Sequence, residues 1–266
     1  MSKVIIITGA SSGIGLSVAT YLSKVGYKVY GASRSAQSNS DFEVVQMDVT
    51  NEDMIHDVVD RILTKEGRID GLFNNAGLGS MGAIENTPID DIEKTYDTNF
   101  YGVVRTCQAV LPTMRKQGSG HIINMSTLGS TVGLPFRGTY CSSKAAVDMI
   151  TEALRLEVKR FGINVSLVHP GDVNTNIGSR RIVSCDENDE VYGKMFTNTV
   201  KQLNGYVKIG LSPDSFGPLI HKILKSKHAR RNYYTGRFPE KLGVFLKKTL
   251  PDYLWEPIVM GYYKAD

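Results

Sequence analysis

A single-domain, doubly wound α/β fold with a mostly parallel seven-stranded sheet and helices on both faces is predicted by three observations. Short β-branched runs alternate with longer stretches of helical period. The first run ends in a glycine turn that opens directly into a helical stretch. No linker, internal repeat or low-complexity tract divides the 266 residues, a length within the range of one α/β domain.

In chain order, strands are expected at 4–7, 28–33, 43–47, 71–74, 120–125, 164–169 and 232–235, because each is a short run rich in Val, Ile, Tyr or Phe. Helices are expected at 13–25, 51–66, 88–117, 139–161 and 213–225, where apolar residues recur three and four apart. This β-α-β alternation implies a mostly parallel sheet covered on both faces. Two stretches break the alternation, about 172–209 and the tail at about 236–266. Insertions of this kind form lids and binding loops.

Composition excludes several function classes. A formal charge of +4 with dispersed Lys and Arg does not indicate nucleic-acid binding. Cys107, Cys141 and Cys185 are too few and too scattered for a disulfide framework, so free thiols in a reducing cytoplasm are expected. The five histidines lack the spacing of a zinc site, and no metal is expected. Neither a signal peptide nor a membrane span is read from the sequence.

The turn reads Thr8-Gly-Ala-Ser-Ser-Gly-Ile-Gly15. Gly9, Gly13 and Gly15 permit a tight bend and close backbone approach to a pyrophosphate, with the helix N-terminus facing the anion. Ser11, Ser12 and Ile14 are counted with them as cofactor-binding. The spacing differs from Gly-x-Gly-x-x-Gly, and the alternative is a plain strand-to-helix turn. After the second strand the chain reads Tyr30-Gly-Ala-Ser-Arg-Ser35, with no carboxylate to hold a ribose 2′-hydroxyl. Ser33 and Arg34 instead suit a 2′-phosphate, so NADP(H) is favoured, with NAD(H) also accommodated; otherwise Arg34 is a surface charge. Asp48 and Val49 follow the third strand, where Asp48 suits the adenine amino group or, alternatively, caps the next helix.

Tyr140 and Lys144 stand four apart, on one helix face, behind the hydroxyl-rich stretch that contains Ser126 and Thr127. An ammonium beside a phenol favours the phenolate and makes the pair a candidate proton-transfer device. Chance alone supplies about one Tyr-x-x-x-Lys in such a composition.

Together, the Thr8–Gly15 turn, Asp48-Val49, Asn74-Asn-Ala-Gly77, Asn99, Ser126-Thr127, Tyr140-x-x-x-Lys144 and Pro170-Gly171 resemble the short-chain dehydrogenase/reductase family, in its order and over about residues 3–235. The resemblance implies a Rossmann-type fold and hydride transfer between a nicotinamide and a carbonyl/alcohol pair. Tyr140 would be the general acid in reduction, Lys144 would lower its pKa and hold the nicotinamide ribose, and Asn99 would anchor a water. Asn75, Ala76 and Gly77 would line the adenosine side, and Pro170, Gly171, Val173 and Thr175 would contact the carboxamide. The family's usual serine thirteen residues before the tyrosine is here Thr127, which keeps the hydroxyl but stiffens χ1. Thr127 is the favoured substrate contact, and strand alternation sends Ser126 to the other face.

Gly133-Leu-Pro-Phe136 and Tyr234-Thr-Gly-Arg237 are similar to 17β-hydroxysteroid and retinol dehydrogenase-like members, which implies a lipophilic ketone or alcohol such as a steroid, retinoid or long-chain keto-lipid. The apolar and basic tail suits packing on its own subunit, a subunit contact or a membrane surface, and Pro251 counts against a membrane helix. Broad apolar stripes on the helices around Val103 and Val147 read as core, and the resemblance adds a homodimer or homotetramer through them. Two other readings stay open: a dinucleotide-binding regulatory or scaffold protein with little turnover, and a cofactor-independent lyase or dehalogenase, which the intact glycine turn disfavours.

Overall fold

Parallel pairing links every strand of the central sheet in the computed structural model, which describes residues 2–35 and 38–265. Strands and helices follow in the order β1 (Val4–Thr8), α1 (Gly13–Lys24), β2 (Lys28–Ser33), β3 (Glu43–Gln46), α2 (Glu52–Glu66), β4 (Gly71–Asn74), β5 (Ser80–Met81), α3 (Ile89–Tyr96), α4 (Gly102–Gln117), β6 (Gly120–Met125), α5 (Gly138–Val158), β7 (Ile163–Pro170), β8 (Ile182–Val183), α6 (Gly193–Lys208), α7 (Phe216–Lys225), β9 (Asn232–Thr235), α8 (Phe238–Thr249) and α9 (Asp252–Tyr263). The sheet runs β3-β2-β1-β4-β6-β7-β9, and β5 pairs separately with β8. The order reverses direction between β1 and β4, which opens a crevice at their carboxyl ends.

Both faces of the sheet are apolar because both are covered. Along β1, Val4 and Ile6 join a core with α2, α4 and α5 residues, while Ile5 and Ile7 join another with α1 and α7 residues. Alternation by two thus feeds two cores rather than one core and water. Helix α2 shows how locally this is encoded. Asn51 accepts from the Met54 amide at 2.9 Å, Glu52 and Asp53 sit in the first turn, Ile55, Val58, Val59 and Ile62 are buried, and Gly67 ends the helix at φ 72°. A polar ladder crosses the first core: Thr106 donates to Asn74 at 2.8 Å, Asn74 to Asn124 at 2.9 Å and Asn124 to Thr151 at 2.8 Å. It ties α4, β4, β6 and α5 at one depth, with each amide nitrogen paired.

Three expectations need correction. The stretch 88–117 is not one helix: a π-turn at Asp97–Tyr101 separates α3 from α4, with the Gly102 amide donating to the Asp97 carbonyl five residues back. The stretch 139–161 leaves α-geometry at Lys159–Phe161. Apolar residues on α5 are not all core, since Met149 and Leu156 are 70% and 71% exposed.

The two irregular stretches contain helices. Residues 172–209 include a 3-10 turn, β8 and α6, and the tail, described to residue 265, folds into α8 and α9. Trp255, Val259 and Tyr263 of α9 pack with Phe196 and Leu203 of α6 and with Val132 and Phe136 in a third apolar cluster. The tail therefore packs on its own chain. Among the described residues no helix is long and apolar enough to cross a membrane.

Candidate active site

The turn after β1 is shaped by what its glycines lack. Gly9 and Gly13 have φ of 68° and 55°, where a Cβ is strained. A Cβ on Gly9 would stand 2.9 Å from the Ala76 Cα, and one on Gly15 would press on the Gly9 carbonyl and stand 2.5 Å from Asn75 Nδ2. Thr8 fastens the two strand ends: its Oγ1 accepts from the Asn75 and Ala76 amides, both at 3.0 Å. Asn75 Nδ2 returns bonds to the Thr8 and Gly9 carbonyls at 3.1 and 3.2 Å. Ser12 heads α1 without a side-chain cap, so amides of the first turn lack that partner. Gly9, Ser11, Ser12, Gly13 and Ile14 border a cavity of about 660 Å³, while Gly15 lies behind its wall. An uncapped helix start beside a cradle that added Cβ atoms would obstruct suits a dinucleotide pyrophosphate.

Along the cleft from the turn come Ser33, Arg34 and Val49, all bordering it. Ser33 is buried and donates to the Ser35 carbonyl at 2.6 Å, and Arg34 is exposed. Asp48 does not border the cleft. Its Oδ1 accepts from the Thr50 amide and hydroxyl at 2.9 and 2.8 Å, and Asn51 rather than Asp48 caps α2. On the far side of the turn, Asn75, Ala76, Gly77, Pro170, Gly171, Val173 and Thr175 also border the cleft. A Cβ on Gly13 would stand 3.2 Å from Thr175 Cγ2, so the loop after β7 reaches back to the glycine turn.

Helix α5 carries Tyr140 and Lys144 on successive turns, both facing the cleft. Lys144 is 3% exposed and donates to the Met125 carbonyl at 2.9 Å. Burial pushes its ammonium down to about 8, against the opposing charge of Asp148. Burial also raises Tyr140, and the cation that opposes this most is Arg137, followed in the same direction by a hydrogen bond with Thr127 and by Arg181. Sequence reasoning gave that part to Lys144; its Nζ is turned to the Met125 carbonyl instead. Arg137 has its guanidinium carbon 4.7 Å from the Tyr140 ring centroid.

Both Ser126 and Thr127 border the cleft, so strand alternation does not separate them there. Of the two, Thr127 is the one that acts on the Tyr140 phenol, and its Oγ1 accepts from the Gly129 amide at 3.2 Å and donates to the Pro170 carbonyl at 3.4 Å. Ser126 Oγ is buried with no hydrogen-bond partner among the described residues. Behind Thr127, Ser130 donates to the Thr127 carbonyl at 2.8 Å and to Asp148 at 2.5 Å, and His169 Nδ1 approaches the same carbonyl at 3.3 Å. Asn99 does not reach the cleft. Fully buried in the π-turn, it accepts from the Leu78 amide at 2.7 Å and donates to the Leu78 carbonyl at 2.9 Å and to Ser143 at 3.1 Å. It thus braces the loop that carries Gly77 against α5. A Cβ on Gly77 would stand 3.4 Å from Asn99 Oδ1 and 3.6 Å from Lys144 Nζ.

Beyond Tyr140 the cleft becomes apolar, walled by Val132, Leu134, Leu203, Leu246, Trp255 and Val259. Sequence reasoning missed the charges at this end. Asp172 and Glu240 share Arg237, at 3.5 Å and 2.7 Å respectively, while Arg137 and Arg181 border the cleft nearer Tyr140. Loop arginines carry no periodic or motif signal by which they could have been found.

A dinucleotide crevice joined to a phenol, an ammonium and a hydroxyl defines a nicotinamide-dependent oxidoreductase. The sequence profile of the short chain dehydrogenase family matches residues 3–183, and the chain belongs to that family. It is 38% identical over 263 residues to 3-ketodihydrosphingosine reductase of Bacteroides thetaiotaomicron, covering 98% of each chain. It is 34% identical over 201 residues to human 17-beta-hydroxysteroid dehydrogenase type 1, covering 69% of this chain and 61% of that one. A solved short-chain dehydrogenase/reductase of Burkholderia phymatum in complex with NAD superimposes with a TM-score of 0.80 at 26% identity, covering 96% and 95% of the two chains.

Proposed function

We propose that this oxidoreductase reduces a ketone on a lipophilic chain with NADPH. The observation that carries the reading is that one cleft joins two unlike ends: Tyr140 and Thr127 border the same cavity as the glycine turn and the apolar wall of α6 and α9. A long chain would lie against Leu203, Leu246, Trp255 and Val259, with the carbonyl at Tyr140. The likeness to 3-ketodihydrosphingosine reductase along the whole chain supports a long-chain ketone.

When bound, the reduced nicotinamide supplies the hydride that the carbonyl carbon takes up. Tyr140 gives its phenolic proton to the carbonyl oxygen, so that a secondary alcohol forms. The Thr127 hydroxyl, within hydrogen-bond reach of Tyr140, holds the carbonyl oxygen and steadies the phenolate left behind. Lys144, fixed by the Met125 carbonyl, holds the ribose hydroxyls beside that phenolate. Arg34, exposed beside buried Ser33, supports NADP(H) over NAD(H) through charge-assisted bonds to a 2′-phosphate.

A panel of long-chain ketones, ketosteroids, retinal and small ketones, followed by NADPH absorbance with Tyr140→Phe as control, tests the reading. Turnover of a long-chain ketone that Y140F abolishes supports it, and undiminished turnover by Y140F removes the assigned proton donor. Titration with both dinucleotides checks the cofactor, with tighter NAD binding overturning the role of Arg34. Exposed Met149 and Leu156 on α5 support pairing of two copies through that helix. Sedimentation as a monomer at micromolar concentration would refute it.

A further inference from the structure

Three arginines and two carboxylates surround the substrate end of the cleft, and their pairing is uneven. Arg237 takes both carboxylates, donating to Glu240 at 2.7 Å and lying 3.5 Å from Asp172. Arg181 has no carboxylate within ion-pair distance among the described residues. Its Nη1 donates to Asn204 of α6 at 3.1 Å and lies 3.6 Å from the Met81 sulfur, neither of which neutralises a charge. Arg137 is likewise without a hydrogen bond or ion pair from its guanidinium among the described residues and rests on the Tyr140 ring. Both border the same cleft as Tyr140, and exposed Arg180 adds a further positive charge at its border.

The glycines beside Arg181 make room for it. A Cβ on Gly79 would stand 2.9 Å from Arg181 Cγ, and one on Gly178 would stand 3.3 Å from Nη2. The side chain is thus seated between two backbone segments and braced by α6. Burial lowers its pKa, the nearby Arg137 charge lowers it further, and the Asp172 carboxylate, shared among three arginines, opposes this only in part. Two guanidinium groups that repel each other in a partly dehydrated cleft are relieved by an anion between them.

We infer that Arg137 and Arg181 form a binding site for an anionic group, a phosphate or carboxylate, that the substrate carries beside its reacting carbonyl. The inference rests on the ketone-reductase reading and adds the head group. The ligand is then amphipathic, with its anion at the arginines, its ketone at Tyr140 and its chain along Trp255 and Val259. The cofactor pyrophosphate is the other source of the same chemistry. The surroundings favour the substrate: Arg137 rests on the Tyr140 ring and Arg181 is held by Asn204 of α6, on the substrate side of the cleft.

Three probes of one chain length separate these sources: a phosphate monoester of a long-chain hydroxymethyl ketone, the same ketone with a free hydroxyl, and the same ketone with an ammonium instead. The phosphate probe is expected to have the highest kcat/KM and the ammonium probe the lowest. Arg181→Gln should reduce the phosphate-to-hydroxyl ratio roughly ten- to hundredfold, mainly through KM, and Arg181→Lys should restore part of it. Calorimetric binding of the phosphate probe gives a readout independent of turnover, with weaker binding to R181Q expected. Equal binding to R181Q and wild type overturns the inference, as does a preference for the ammonium probe. Loss of NADPH affinity in R181Q with an unchanged ratio assigns Arg181 to the pyrophosphate and also overturns it. If no ketone is reduced while R181Q still weakens phosphate binding, the reductase reading fails and the anion site stands.

Discussion

Arg137, at the N-cap of α5, covers the face of the Tyr140 ring at 4.7 Å, and Tyr140 stands one turn before Lys144 on that helix. The Arg137 charge, with no paired carboxylate among the described residues, acts on the phenol that is to gain and lose a proton. Arg137→Leu is expected to raise the Tyr140 pKa further, because burial then acts with less opposition. The alcohol-oxidation rate, which needs the phenolate, should begin its rise at higher pH. The ketone-reduction rate, which needs the phenol, should persist to higher pH. A kcat loss of about tenfold near neutrality is expected from the lost charge. Rate profiles in both directions check the opposite senses, and profiles that coincide with wild type sink the assignment.

Lys144, the proposed holder of the nicotinamide ribose, is buried at a cost in stability. Its pKa is lowered on folding from 10.5 to about 8, so the folded state binds fewer protons than the unfolded state between those values. Stability from this group therefore rises with pH across that window, and its penalty is fully present below about pH 8. Lys144→Met should remove activity yet raise the melting temperature at pH 7, by a gain on the order of 1–3 kcal/mol. The gain should shrink towards pH 10. Melting curves at the two pH values check this, and an equal difference at both rejects it.

Gly15 has space for no other residue. Gly15→Ala presses a methyl group into the Gly9 carbonyl and Asn75 Nδ2, moving the turn that would cradle the pyrophosphate. Dinucleotide affinity should fall at least about tenfold, with a stability loss of about 1–3 kcal/mol. Fluorescence titration and denaturant melts measure the two effects.

Asn99 is worth more to the loop than its sequence position suggests. Asn99→Ala leaves the half-buried Leu78 amide without its side-chain acceptor and removes the bond to Ser143, at an expected cost of about 2 kcal/mol. Because Gly77 rests between Asn99 and Lys144, kcat should fall with stability. A lowered denaturant midpoint with wild-type kcat would separate the loop from catalysis.

Thr127→Ser keeps the hydroxyl beside Tyr140 and is expected to retain kcat within about threefold, whereas Thr127→Val, similar in shape, should lower it roughly a hundredfold. Steady-state kinetics distinguish them. Impairment of Thr127→Ser alongside wild-type rates in Thr127→Val would show that the methyl group rather than the hydroxyl matters.

Strands and most helices were legible because each is encoded locally: Val4 to Ile7 is β-branched throughout, and Asn51, Glu52 and Gly67 mark both ends of α2. That Tyr140 and Lys144 share a cleft-facing side of α5, and that the glycine turn opens α1, followed from spacing alone. The π-turn was not, since its apolar period continues from Ile92 to Val103 and one extra residue hardly disturbs it. The shared place of Arg137 and Arg181 on the cleft was also hidden. It arises when the start of α5 meets the stretch before β8, far apart in sequence. Asp48 instead shows a local bond that spacing does not announce, its Oδ1 accepting from Thr50 two residues on.

The π-turn at Asp97–Tyr101 also makes chain length a mechanical variable. Deleting one residue there would let the Gly102 amide meet a carbonyl four residues back, and the two helices would fuse. Each α-helical residue turns the axis by about 100°, so such a deletion is a rotation rather than a shortening. Asp91, which accepts from Ser184 of the insertion at 3.0 Å, would swing away with α3, and Asn99 would leave Leu78. At this place a gap changes direction.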